Sequence, residues 1–338
     1  MPSITIRDVA RAADVSVATV SYVINDGPRP VTEETRGRVL ATMRELGFEP
    51  NVSARRLRRQ HSGVLGLAIA GMASEHGVSE LYFLEILRGV GVTADHHGYD
   101  LMLFGNRQKL VGVEFYRTLA RQRMIDGLIL TGSLINPEGI AQVAEANLPA
   151  VVIGRHRSGM TVPCIMPSFE QDAFCLTEAL IQMGHRRIGL FVNAQSLVGE
   201  RERLLGYQRA LAAHGLPYDP ALAHVPAQAE VYPPRETVQA LMRDAAPTAI
   251  ITATYIEVCT FVTEMGCPVV VGTLDEEGHL PRPPCLAAGM RIAKYEAGTQ
   301  AVEWLLRCIE DKAELPAELL LTSRLNVYEA AAARPPTD

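Results

Sequence analysis

The stretch SARRLRRQ, Ser53 to Gln60, sets four guanidinium groups, Arg55, Arg56, Arg58 and Arg59, around the single aliphatic side chain of Leu57. Guanidinium forks pair with phosphate oxygens, so a run of this kind suits a polyanion. A solvated linker has no use for Leu57, and a core helix does not tolerate the arginines. The rest of the chain does not share this chemistry, because its formal net charge is −6. Residues 1–62 hold ten arginines and no lysine against seven carboxylates, net +3, which leaves −9 for the other 276 residues. Such asymmetry is expected of a small nucleic-acid module attached to an ordinary acidic domain, and the overall charge excludes a generally polycationic binder.

The elements that must position this run precede it. In TIRDVARAADVSVATVSYVIN, Thr5 is a good N-cap with Asp8 three residues on, and Ile6, Val9, Ala10 and Ala13 follow at helical spacing. DVS interrupts, and Ser16 can cap a second helix whose apolar stripe is Val20, Val23 and Ile24. TEETRGRVLATMRELG predicts a third helix with Thr32 as cap and acids in its first turn. Val39, Leu40, Met43 and Leu46 are expected inward, with Gly47 as stop. Three short helices, the first two joined by a tight turn, make a helix-turn-helix whose second helix suits a major groove. A generic three-helix core has the same capping and periodicity.

These residues, with VTEETRGRVLATMRELGFEPN and ARRLR, closely resemble the N-terminal module of the lactose-repressor (LacI/GalR-type) family of bacterial transcription factors over nearly all of residues 5–58. The resemblance implies that Val17, Ala18 and Tyr22 touch bases. Methyl surfaces of Val and Ala suit the thymine methyl, and Tyr22 can pack and donate. Thr19, Ser21 and Asn25 suit phosphate oxygens, which fix register without reading sequence. Thr5, Ser16, Asn51 and Ala54 complete the expected DNA-facing set. The resemblance further implies that the segment 50–61 becomes a short hinge helix on DNA. Leu57 then occupies the position of a minor-groove wedge, with Arg58 along the groove and Arg55, Arg56 and Arg59 supplying attraction to phosphates. The loop INDGPRPV, Ile24 to Val31, is one residue longer than the common pattern.

From residue 62 the texture changes. Short apolar runs, VLGLAIAG, DLMLFG, DGLILTG, PAVVIG, RIGLFV, TAIITA and CPVVVG, alternate with helical stretches such as VEFYRTLARQR. That alternation predicts parallel sheets covered on both faces. The resemblance extends here through RMIDGLIL, LIQMGHRRIGLF and RLLGYQRAL, and implies a periplasmic-binding-protein-like core of two doubly wound parallel-sheet subdomains. The expected division is a headpiece at 1–49 and a hinge at 50–61. Subdomain 1 is expected at 62–161 plus 291–315, subdomain 2 at 162–290 plus 316–330, and a tail at 331–338.

The resemblance places a small-molecule effector in the crevice between the subdomains, gripped by Arg203 and flanked by Tyr82 and Phe83. Thr254, Tyr255 and Asp275 stand at further lining positions. Several expected acids are replaced, by Gly154, by Thr254 and Tyr255, by Leu274 and by Pro167–Ser168. A crevice that keeps Arg203 and loses acids points to an anionic or less polar effector, or to none; drift in a crevice that still binds a sugar through other residues reads the same way. The alternative is the same scaffold with a silent crevice, constitutive or controlled by a protein partner.

No GxGxxG opens a helix after a strand, and neither GxxxxGK[ST] nor GxSxG occurs, so no enzyme is expected. His185 in GHRR falls at a helix–strand junction, where the family uses it structurally. The six cysteines lack metal or disulfide spacing, and no metal or cofactor is expected. The N-terminus has no apolar signal region, and no run of about 18 apolar residues occurs, so a cytoplasmic protein with no membrane partner is expected. One helix-turn-helix reads half a site, which implies a homodimer on pseudo-palindromic double-stranded operator DNA, acting as a repressor. NVYEAAAARPPTD lacks the leucine heptads that would make a tetramer.

Overall fold

The structure is a computed structural model. It describes residues 4–25, 30–48, 61–69, 80–104, 113–131, 142–154, 162–193, 198–226, 233–253, 255–278, 280, 282–310 and 315–328. The chain divides into two units, Met1–Gly63 and Val64–Asp338.

The first unit holds α1 (Ile6–Ala12), α2 (Val17–Asn25) and α3 (Glu33–Leu46). The Asp8 carboxylate accepts from the Thr5 amide at 2.9 Å and the Thr5 hydroxyl at 2.6 Å, so the start of α1 is tied down as the sequence predicts. Ser16 Oγ accepts from the Thr19 amide at 3.0 Å and caps α2. Thr32 caps α3, and Gly47 ends it in the left-handed region at φ 62°, where a side chain would be strained. Val9, Ala10, Ala13, Val20, Val23 and Val39 form the core. Leu40 departs from expectation and lies exposed, while Thr42 turns inward and donates to the Arg38 carbonyl at 3.0 Å. The helical repeat explains this: the buried row runs Val39, Thr42/Met43, Leu46, and Leu40 sits about 100° round from Val39.

In the second unit the strands are β1 (Val64–Ile69), β2 (Asp100–Phe104), β3 (Gly127–Thr131), β4 (Ala150–Ile153), β5 (Cys164–Pro167), β6 (Ile188–Phe191), β7 (Ala223–His224), β8 (Ala249–Thr252), β9 (Val270–Thr273), β10 (Leu286–Arg291), β11 (Glu318–Leu321) and β12 (Arg324–Val327). Helices α4 (Glu80–His96), α5 (Val113–Arg121), α6 (Phe169–Gln182), α7 (Val198–Ala213), α8 (Arg235–Asp244), α9 (Tyr255–Glu264) and α10 (Lys294–Glu310) alternate with them. One sheet runs β11-β5-β4-β3-β1-β2, all parallel; the other runs β12-β10-β9-β8-β6-β7, parallel except for β12.

Both faces of each sheet are covered, which is why the strands read as unbroken apolar runs. Leu65, Leu67 and Ile69 of β1 pack with α4 and α10, whereas Val64 and Ala68 pack on the opposite side with Tyr116 of α5. In the second sheet Ala249 and Ile251 face the α6–α7 side and Ile250 faces α8 and α9. Helices α4 and α10 approach closely because both are notched: a Cβ on Gly298 would meet the Ile86 carbonyl oxygen at 2.4 Å.

The sheets correct the expected subdomain boundaries. Strand β5 pairs with β4 and therefore belongs to the first lobe, not the second. The segment expected as one closing strand of the second lobe is two: β11 pairs with β5 in the first sheet and β12 with β10 in the second. The cause is the Thr322–Ser323 break in an otherwise continuous apolar-polar run, which lets the chain cross. The lobes are thus joined three times, at Pro167–Ser168, at Ile292–Ala293 and at Thr322–Ser323. The expected hinge, apart from His61, lies outside the described residues.

Candidate functional site

On α2, burial of Val20 and Val23 turns the opposite face outward. Val17 is 43% exposed, Ala18 is exposed, and Tyr22 is half-buried. Two methyl-bearing residues and a phenol therefore stand together on a surface that packing does not need. Ser16 and Thr19 hydroxyls lie 2.8 Å apart and hold each other at the helix start. Ser21 behaves differently from expectation: it is 8% exposed, turned toward the headpiece core rather than outward. The Thr5 hydroxyl, followed by its amide, holds the Asp8 carboxyl below the usual carboxylate range. The side chain of Asn25, and Asn51, Ala54, Arg55, Leu57 and Arg58 entirely, lie outside the described residues.

In the second unit the three crossings converge on a buried charge network. Arg203 of α7 stacks on the Phe169 ring at 4.9 Å and donates to Glu200 Oε1 at 2.6 Å. Glu200 Oε2 accepts the Asn193 amide at 3.0 Å. Asp172 of α6 accepts the Ser323 hydroxyl at 2.6 Å; burial pushes its pKa up to about 6, against the opposing pull of Ser323 and Arg203. Lys294 Nζ lies 2.7 Å from Asp275 Oδ1 and donates to Glu277 Oε1 at 2.8 Å. Burial raises the Asp275 pKa even with Lys294 and Arg203 beside it, whereas for Lys294 the two carboxylates outweigh burial and raise it. Burial also lifts Tyr255 to about 12, so its hydroxyl stays neutral.

His185 is buried, with Nδ1 3.0 Å from Thr248 Oγ1, and burial lowers its pKa. This holds a helix–strand corner. Among the described residues no His, Cys, Asp and Glu group could hold a metal ion, and no helix is long and apolar enough to cross a membrane.

The sequence profile described as "Bacterial regulatory proteins, lacI family" matches residues 5–51, and that of "Periplasmic binding proteins and sugar binding domain of LacI family" matches residues 72–261. The chain belongs to the LacI family. It is a DNA-binding transcriptional regulator, and the family's members are regulators rather than enzymes. Among LacI-family relatives, the catabolite control protein A of Priestia megaterium is 29% identical over 82% of this chain and 80% of its own. The HTH-type transcriptional regulator MalR of Streptococcus pneumoniae is 27% identical over 91% of this chain and 93% of its own. The fold matches the lac repressor dimer bound to operator and the anti-inducer ONPF with a TM-score of 0.79 at 24% identity, over 98% of this chain and all of that one.

Of the effector positions that LacI-family membership implies, the structure brings Arg203, Tyr255 and Asp275 into one electrostatic neighbourhood. Phe83 is packed in the first lobe's core with Ile86 and Val90. Its spacing on α4 puts it in the same row as those two residues. The Tyr82 side chain and Thr254 lie outside the described residues. Besides the replaced positions, four carboxylates, Asp172, Glu200, Asp275 and Glu277, gather around Arg203 and Lys294. Sequence reading missed Asp172, Glu200, Glu277, Lys294 and Ser323. One signal was available: Lys294 is a cation in the first turn of α10, where the helix dipole disfavours it, so its charge had to be needed elsewhere.

Proposed function

We propose that the protein is a cytoplasmic repressor that binds pseudo-palindromic operator DNA as a homodimer. Each subunit sets α2 into the major groove, and the segment 50–61 places Leu57 in the minor groove at the centre. The observation that carries this reading is the outward face of α2: Val17 and Ala18 are exposed while their neighbours Val20 and Val23 hold the core. Exposed methyl groups at the start of a capped helix suit thymine methyl recognition. The LacI-family relatives support the same role. The test is selection of bound fragments from genomic DNA by the full chain. Recovery of one sequence with two-fold symmetry supports the reading, and recovery of unrelated fragments opposes it.

The effector is a small molecule in the crevice lined by Arg203, Tyr255 and Asp275, and it acts by binding one lobe arrangement better than the other. An anionic effector, the class suggested by the sequence, would have to compete with Glu200, which already pairs with Arg203. A neutral molecule offering hydroxyl donors fits better, as in the cellobiose complex of the regulator CelR, which shares this fold at a TM-score of 0.65. Calorimetry with neutral sugars against phosphorylated sugars and organic acids separates the classes. One observation favours a second reading, in which the crevice is silent: Arg203 is already paired with Glu200, and Lys294 with Asp275 and Glu277, within the chain.

A further inference from the structure

The Lys294 ammonium reaches from one lobe into the other. Helix α10, which it opens, is fixed in the first lobe: Ala297, Ala301 and Leu305 lie in that lobe's core, and Gly298 abuts the Ile86 carbonyl. Its carboxylate partners belong to the second lobe, in the turn that follows β9. That turn is itself rigidly held. The Glu276 amide donates to the Met290 carbonyl at 2.8 Å, and Glu276 Oε2 accepts from Asn326 Nδ2 of β12 at 2.7 Å. A pull on Lys294 is therefore a pull on the whole second sheet.

We propose that Lys294 is an interlobe latch: by bridging Asp275 and Glu277 it holds the two lobes in one arrangement when no ligand is bound. Side-chain exposures of 3% for Lys294, 14% for Asp275 and 9% for Glu277 keep water from competing for the contacts. The chain crosses between the lobes at Ile292–Ala293, immediately before Lys294, so a small rotation there swings the ammonium away from its partners. Removing one member of such a buried set leaves charges without compensation, whereas a rigid two-state joint needs all of them. The latch also deepens the crevice reading. A ligand that donates to Asp275 and Glu277 in place of the ammonium releases the joint, and lobe motion is then coupled to binding. The latch itself requires only the two-lobe core, so its failure and the failure of the operator reading are separately visible.

The experiment measures the distance between spin labels carried by non-canonical residues at exposed Arg121 on α5 and Arg243 on α8, in labelled full chain diluted with unlabelled chain. Two variants are compared with the unaltered protein, Lys294→Met and the neutral triple Lys294→Met/Asp275→Asn/Glu277→Gln. The unaltered chain gives one narrow distance. The triple variant, which leaves no buried charge unpaired, stays folded by circular dichroism and loses most of that peak to a second or broader distribution. Lys294→Met alone does the same or unfolds, and in the latter case the triple variant decides. A folded triple variant that keeps the single narrow distance overturns the proposal.

Discussion

Ser323 donates its hydroxyl to Asp172 across 2.6 Å, joining the third lobe crossing to the helix that follows the first. Asp172 is buried, and a carboxyl held there ionises only near pH 6. In the unfolded chain it ionises near its ordinary value of 3.8. The folded state thus holds this proton more tightly. The contribution favours folding below about pH 4 and is lost as pH rises from about 4 to about 6.

Asp172→Asn removes that titration while its amide oxygen still accepts from Ser323. The variant is therefore expected to match the unaltered protein near pH 4 and to exceed it at pH 8, by about 1–3 kcal/mol. Denaturant unfolding of the core unit at both pH values measures this. Equal stability at pH 8 would show that Asp172 is solvated after all.

The headpiece depends on its caps. Thr32→Ala removes the acceptor that holds the start of α3 and should cost about 1 kcal/mol. Gly47→Ala forces a side chain into the left-handed region and should cost about 1 kcal/mol as well. Thermal unfolding of the full chain, followed through the headpiece transition, reads both. No shift in either would mean that α3 is held by packing alone.

Val17→Ser trades an exposed methyl surface for a hydroxyl without touching the core. Operator affinity should fall by about 1–3 kcal/mol with relaxed preference at one base pair. Ser21→Ala should change headpiece stability more than DNA affinity, because Ser21 is turned inward. Fluorescence anisotropy on operator and single-substitution duplexes checks both. A larger affinity loss for Ser21→Ala than for Val17→Ser would reverse their assigned roles.

Much of this molecule was legible in the sequence, and the limits have physical causes. Caps announce themselves through short polar side chains at fixed offsets, so Thr5, Ser16, Thr32 and Gly47 were placed correctly. Parallel strands buried on both faces give unbroken apolar runs, so the two sheets were visible. Which sheet a strand joins is decided by pairing partners far along the chain, and nothing local marks Cys164–Pro167 or Glu318–Leu321 for the first lobe. The crevice network was hidden for the same reason. Only Glu200 and Arg203 are neighbours on one helix, three residues apart. Asp172, Asp275, Glu277, Lys294 and Ser323 meet because three crossings converge.

Arg203 is expected to matter for effector response, but replacing it alone strands Glu200 in a buried site. The paired change Glu200→Gln/Arg203→Met avoids that. It should leave operator binding within about twofold and abolish release by any effector that acts on the unaltered protein, since mutations distant from the reading head leave phosphate and base contacts intact. Titrating effector into the repressor–operator complex measures the response. An unchanged response would move the effector site away from Arg203.

The account rests on sequence-specific reading of symmetric DNA by two headpieces with a leucine between base steps. Hydroxyl-radical footprinting of the full chain on a selected genomic fragment, beside Leu57→Ala, tests it most directly. The expected result is two protected half-sites about one helical turn apart. The step midway between them should be hyper-reactive or kinked, and affinity should fall by about 2–3 kcal/mol when Leu57 is truncated. A single unsymmetric footprint, with an undistorted centre and no effect of Leu57→Ala, would contradict it.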